Sequence, residues 1–253
     1  MCCSDELLKK FVKIKSGSFI MGRCSQYEGH ENSRPTQKIF VDEFYMSQHA
    51  VTASEYKQCV DAKGCEYLGP EMPGFIYWLR SLIKPDYETY NKKGKENFPI
   101  NYVTWSQAKQ YVAWRSEKEQ RAYRLCYEKE WEYVARSGFE TRWPFGDDIS
   151  YLKDYAWYAA NNQDAPGPKE VMTKKPNPWG IYDLNGNIVE MLADPYKLYS
   201  ECAEGDEKTP TTRGGGYGSH WTGTTAFARG TVGAERRIAD VGFRLCANKD
   251  SFL

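Results

Sequence analysis

The order of apolar and polar residues divides the chain into a strand-rich start, a helical middle and a long irregular second half. Phe11 to Gly22, FVKIKSGSFIMG, alternates about Ser16-Gly17-Ser18, and that two-residue period predicts a β-hairpin. Lys38 to Met46, KIFVDEFYM, repeats the strand pattern. Thr52-Ala53-Ser54-Glu55 is a capping box, in which a side-chain oxygen and Glu55 satisfy the free backbone donors of a first helical turn. It predicts a helix running to about Ala62. A second helix is predicted from near Thr104 to Ser106, with Ala108, Tyr111, Val112 and Arg115 at helical spacing, and a short third over Glu128 to Arg136. Beyond Gly138 the helical period disappears, and GFRLCA (242–247) reads as a final strand. Residues 66–97 are irregular, yet Phe75, Ile76, Tyr77, Trp78 and Leu79 predict local packing. With no repeat or linker, the expected architecture is one α+β domain over 11–253, preceded by a tail at 1–10.

Composition narrows the function classes. The 253 residues carry 34 basic and 34 acidic side chains, so no general field favours nucleic acid. No apolar run approaches the roughly 18–20 residues of a membrane-spanning helix, and 15% aromatic content is too high for a disordered chain. The 21 Gly and 12 Pro suggest a loop-rich globule. WPFG (143–146) and PNPWG (176–180) read as aromatic turn plugs in the core. Glu128 and Glu130 are expected to bind backbone or arginine partners rather than perform acid–base chemistry. Arg213-Gly214-Gly215-Gly216 lacks the lysine and spacing of a phosphate loop.

The eight cysteines stand at positions 2, 3, 24, 59, 65, 126, 202 and 246. None forms a Cys-x-x-Cys pair, and His30, His49 and His220 are the only histidines, which argues against a zinc site of usual spacing. Cys59 and Cys65 fit either a disulfide closing a short loop at a helix end or two buried thiols. Cys2 or Cys3, followed by Ser4-Asp5-Glu6, fits the lipid-bearing start of a bacterial lipoprotein held at the cell surface or facing the periplasm. A cytoplasmic protein is the alternative.

Six phrases in fixed order carry a resemblance. They are SGSFIMG (16–22), FPINYVTWSQAKQYVAW (98–114), YRLCYEKEWEYVARSG (123–138), NPWGIYDLNGNIVEM (177–191), RGGGY (213–217) and GFRLCA (242–247). Together they resemble the formylglycine-generating enzyme (sulfatase-modifying factor) domain, a subclass of the C-type lectin fold. The resemblance implies few helices, small twisted sheets and much irregular coil. In the enzymes of that family, two cysteines after the glycine-rich block bind copper and activate oxygen. Here the corresponding positions are Ser219 and Thr224, Gly216 replaces a serine, and Val189 replaces a tryptophan. A hydroxyl is neither comparably nucleophilic nor a good copper(I) ligand, so the oxidase chemistry is not expected. His220 keeps its family identity.

A well-kept frame around a divergent interior, GYGSHWTGTTAFARGTVGAERRI (216–238), resembles the variable proteins of diversity-generating retroelements. By that resemblance, 213–247 is a variable region binding a protein or glycan ligand on another cell. Small polar residues supply fit, and Trp, Tyr and Arg supply anchors. The residues expected to face the ligand are Ser219, His220, Trp221, Thr222, Gly223, Thr225, Thr231, Ala234, Arg236 and Arg237. Tyr217, Arg229 and Phe243 are expected in the frame. The competing class is a sulfatase-maturation oxidase relative, inactive or working through other residues. The family also implies calcium on a turn equivalent to 183–190, with carboxylates from Asp183 and Glu190 and carbonyls from Gly186 and Ile188. A loop tied by Asn and Asp to its own amides is the metal-free alternative.

Overall fold

The computed structural model of the chain describes residues 10–23, 27, 30–71, 87–199 and 208–252. The apolar cluster at 75–79 and the cysteines at 2, 3, 24 and 202 lie outside these residues. The fold is α+β; among the described residues it has three small sheets and the α-helices α1 (Ala53–Asp61), α2 (Trp105–Glu119), α3 (Glu128–Arg136) and the single-turn α4 (Leu152–Tyr155).

The helix boundaries follow local chemistry. Thr52 and Glu55 form a reciprocal capping box at the start of α1, and Thr104 with Gln107 does the same for α2. Left-handed residues end two of these helices, Gln120 after α2 and Ser137 after α3. The chain leaves α1 through Lys63 and Gly64, where a Cβ on Gly64 would lie 2.2 Å from the Trp114 ring. Cys59 and Cys65 are joined in a disulfide across that exit.

Strands β1 (Phe11–Ile14) and β2 (Gly17–Met21) do not form the expected hairpin. β1 pairs with β4 (Phe44–Ser47), and β2 with β3 (Gln37–Val41), so the chain changes sheet at Lys15-Ser16 and again at Asp42-Glu43. Gly17 is therefore not a hairpin turn residue. It sits beneath the Tyr133 hydroxyl, where a Cβ would lie at 2.3 Å. The first sheet has the order β1-β4-β10-β5, with β5 at Tyr123–Leu125 and β10 at Leu245–Asn248. The last strand is split, because β9 (Val241–Gly242) runs parallel to β6 (Val189–Pro195) before Phe243 and Arg244 turn the chain into β10. β7 (Pro210–Arg213) and β8 (Arg229–Thr231) complete the sheet β8-β7-β6-β9.

Two cores lie either side of the first sheet's strands. One gathers Tyr56, Tyr111 and Phe243 between α1, α2 and the C-terminal segment. The other packs Trp131 and Val134 of α3 on Phe44, Met46, Leu184 and Leu192. A disulfide joins Cys126 to Cys246 within that second core, which the sequence reading did not anticipate. Trp143 of the WPFG turn is buried with Leu152, Ala156 and Tyr158 in a third, smaller cluster, whereas Trp179 of PNPWG is half-buried against the second core.

Candidate ligand-binding site

Residues 214–228 form a long loop between β7 and β8, and one carboxylate holds both of its ends. Glu128, at the first turn of α3, accepts hydrogen bonds from Arg213 Nε at 2.9 Å and from Arg229 Nε and Nη2 at 2.7 and 2.8 Å. Arg213 is the last residue before the loop and Arg229 the first after it. Glu132, one turn further along α3 and fully buried, accepts from Arg213 Nη2 at 2.7 Å, from Arg136 Nε at 2.8 Å and from the Gly22 amide at 2.8 Å. Burial opposes ionisation of Glu132, but Arg213, Arg136 and the Gly22 amide outweigh it and hold the carboxyl below the usual range. Arg213 also donates from Nη1 to the Ala226 carbonyl at 3.1 Å, fixing the loop from below.

Within the loop, Gly214 and Gly215 take positive φ. The Ser219 hydroxyl then accepts from the Gly216 amide at 2.9 Å, and Trp221–Thr224 closes as a 3-10 turn. Thr224 is wholly buried. Its hydroxyl accepts from the Trp143 indole at 3.2 Å and donates to the Trp221 carbonyl at 2.8 Å, while Asn185 Nδ2 donates to its carbonyl at 2.7 Å. His30, from a distant part of the chain, places Nε2 3.0 Å from the Thr222 carbonyl. Burial lowers the His30 pKa, which favours the neutral ring in that contact.

This scaffolding leaves Ser219 to Gly223 at the surface, with His220 exposed and Trp221 half-buried against Trp143, ring centroids 6.0 Å apart. Thr225 does not belong to that surface. It is 1% exposed, with its hydroxyl turned inward to the Thr222 carbonyl, because the loop descends there into the core. Thr231 is exposed on β8. Ala234 packs on the first core and accepts from the Trp105 amide at 2.9 Å, so it is a support rather than a contact. Arg236 is exposed and pairs with Glu71 at 3.2 Å, and the half-buried Arg237 donates its amide to the same carboxylate at 2.5 Å. The expected set thus divides into a crest at 219–223 and an arm at 231–237. Their bases meet where Gly216 abuts Asp240, a Cβ on the glycine lying 3.0 Å from that side chain. Tyr217, Arg229 and Phe243 are buried in the frame. The supporting residues missed from sequence are His30, Trp143 and Asn185, whose partners lie 39 to 192 positions away and leave no local pattern.

A family model of the sulfatase-modifying factor enzyme 1-like domain matches residues 4–249. The chain belongs to this family. Formylglycine-generating enzyme of Mus musculus is 24% identical over 95% of this chain and 76% of its own length. Inactive C-alpha-formylglycine-generating enzyme 2 of Bos taurus is 25% identical over 74% of this chain and 71% of its own length, so the sulfatase-modifying factor family includes both enzymes and inactive relatives. Among solved structures, PvdO from Pseudomonas aeruginosa superposes with a TM-score of 0.80 at 23% identity, covering 94% of each chain. Treponema denticola variable protein 1 superposes with a TM-score of 0.74 at 19% identity, again covering 94% of each. The fold is accordingly the C-type lectin fold in its formylglycine-generating-enzyme form.

The metals implied by the sulfatase-modifying factor family do not fit the residues present. Copper would need thiolates where this chain has Ser219, bonded to a backbone amide, and Thr224, sealed under Trp143. For calcium, both Glu190 oxygens are taken by Arg244, at 2.7 and 2.6 Å, and one also accepts from the Trp131 indole at 2.8 Å. The Gly186 carbonyl accepts from the Ile188 amide at 2.8 Å, and Ile188 is itself buried in the core. Asp183 keeps one oxygen without a partner, while the other accepts from the Met172 amide at 2.8 Å; burial pushes its carboxyl up to about 6. One available carboxylate oxygen is too few for a hard cation that takes about six to eight oxygens. Among the described residues no group of three or more His, Cys, Asp or Glu side chains gathers as a metal site.

Proposed function

We propose that this chain is a non-catalytic binding protein, which presents residues 213–247 on a rigid lectin-type scaffold to a protein or glycan ligand. The observation that carries the proposal is the pair of hydroxyls at Ser219 and Thr224. Each is hydrogen-bonded into the loop's own structure, so the positions that hold reactive thiols in the enzymes here shape a surface. The crest, exposed at His220 and half-buried elsewhere, also has the composition of an adaptable binding loop, with Ser219, Thr222 and Gly223 around the larger rings of His220 and Trp221. Its likeness in fold to a variable protein supports a region diversified by a retroelement. The resemblance to formylglycine-generating enzyme supports the competing oxidase reading, but supplies no thiol at either position.

Presentation at a bacterial cell surface, through a lipid on Cys2 or Cys3, belongs to the same proposal. The disulfides Cys59–Cys65 and Cys126–Cys246 favour an oxidising compartment. Ligand selection from a display library of surface proteins and glycans tests the binding role. Capture that weakens tenfold or more in His220→Ala/Trp221→Ala supports it. Copper-dependent oxygen consumption with a cysteine-containing peptide overturns it. For diversification, a near-copy of the segment encoding 213–247 beside a reverse transcriptase gene is expected, and its absence removes the retroelement part alone.

A further inference from the structure

Outside the C-terminal region, α4 and the segment 172–176 enclose an open groove of about 540 Å³, lined by Lys153, Asp154, Met172, Thr173, Lys174, Lys175, Pro176 and Tyr182. Three of those eight side chains are lysines and one is a carboxylate, in a chain whose overall charge is zero. The Asp154 carboxylate is already paired with Lys175 at 3.0 Å. Among the described residues Lys174 and Lys153 form no such direct pair, although the charge of Asp154 also acts on both.

Aromatic rings and a backbone carbonyl hold the ammonium groups of Lys174 and Lys175 beside the groove. Lys174 Nζ stands 3.9 Å from the Trp157 ring centroid and donates to the Lys153 carbonyl at 2.5 Å. Lys175 Nζ lies 5.7 Å from the ring of Tyr155. Lys169, beyond the groove, lies 5.7 Å from the same Trp157 ring. The Trp157 indole is itself anchored, donating to the Thr173 hydroxyl at 2.9 Å. A lysine that is already held loses less side-chain entropy when an anion arrives. Partial burial draws the Lys174 pKa down against the opposing pull of Asp154, which is already paired with Lys175, so a further negative charge in the groove would favour the charged ammonium.

We propose that this groove is a binding site for an acidic polysaccharide, whose sulfate or carboxylate groups are held by Lys153, Lys174 and Lys175. Lysine presents a compact point charge suited to such groups without requiring the two-pronged geometry of arginine. Nucleic acid is the less fitting polyanion. The Trp157 and Tyr155 rings carry lysines rather than standing clear for base stacking, and the two disulfides favour a compartment outside the cytoplasm. The site lies apart from residues 213–247 and does not depend on what those residues bind.

The test is titration of the full chain with heparin as the sulfated probe, polygalacturonate as the carboxylate probe, and neutral dextran and single-stranded DNA as comparisons. Binding of at least one acidic polysaccharide is expected, with a shallower salt dependence and at least tenfold weaker affinity in Lys153→Glu/Lys174→Glu. Lys38→Glu, exposed on β3, should change the affinity less than twofold. His220→Ala/Trp221→Ala should leave it unchanged, which separates this site from the loop. Thermal melting of the groove variant within a few degrees of the parent shows that it is folded; if it is not, Lys153→Gln alone is read for a two- to threefold loss. Failure of both acidic polysaccharides to bind overturns the proposal, as does equal weakening by Lys38→Glu. So does tighter binding of the DNA at the same lysines.

Discussion

Arg229 and Glu128 form a two-pronged buried pair, 2.7 and 2.8 Å, that binds the first residue after the C-terminal loop to the start of α3. Arg229 further donates from Nη1 to the carbonyls of Asn32 and Lys197, at 3.0 and 2.6 Å. Removing the guanidinium leaves a buried carboxylate short of a partner, a loss of about 3–5 kcal/mol. Arg229→Ala should therefore lower the denaturant midpoint sharply, whereas Ser219→Ala should cost about 1 kcal/mol. Equal, small effects in chemical denaturation would show that the pair does not anchor the loop.

Acid should loosen the same anchor through Glu132. Its folded pKa is depressed, so the stability it contributes is fully present above its unfolded value of about 4.5 and is lost as pH falls through the lower folded value. The slope of stability against pH, measured by urea melts from neutral pH to the acid limb, should be shallower in Glu132→Gln. That variant should also be less stable at neutral pH, because Arg213 and Arg136 lose their shared counter-charge. An unchanged acid slope would count against this assignment.

Thr224 should be sensitive to loss of its hydroxyl, which is buried and hydrogen-bonded on both sides. Thr224→Val keeps the volume but leaves the Trp143 indole and the Trp221 carbonyl each short of a partner, at about 1–3 kcal/mol. Thr224→Ser should retain most of the stability. Near-UV circular dichroism, which reads the tryptophan environment, provides the check alongside thermal melting.

Calcium should not stabilise the fold, given the pairing of Glu190 with Arg244. Millimolar calcium and excess chelator are expected to give melting temperatures within about a degree of one another. A rise of several degrees with calcium, abolished in Asp183→Asn, would show that the turn rearranges to bind the ion.

The bond between Cys126 and Cys246 closes a loop across 120 positions, and constraining so long an unfolded chain is worth about 4–5 kcal/mol in the chain-entropy account. Cys126→Ala/Cys246→Ala should therefore be much less stable than Cys59→Ala/Cys65→Ala, whose disulfide spans only 6 positions. Denaturant melts of the two double variants decide the order.

Much of the local structure was legible in the residues alone. Thr52 and Glu55 announce α1, the span of α3 was read to the residue, and the ordered phrases point to the family, because caps, periodicity and family phrases are short-range. The readings that needed partners were less secure. The alternation at 11–22 is real, but alternation says only that one face of a strand is buried, not which strand lies beside it. Likewise Thr225 looks like its neighbours in composition, and only the descent of the loop makes it a buried residue.

By itself, then, the sequence determined the three longer helices, the strand-forming segments near 11–22, 38–46 and 242–247, the lectin-type frame and the absence of cysteine at 219 and 224, since each is written in neighbouring residues or in identity at a position. The single turn α4 and the strands β5 to β8 carry no such local signal. The tertiary structure alone decided that Glu128 joins the two ends of the loop, that Glu190 belongs to Arg244, and that lysines 153, 174 and 175 share a groove. These are relationships between residues far apart in the chain. Charge pairing and burial select them only once the backbone has brought the groups within a few ångströms of one another.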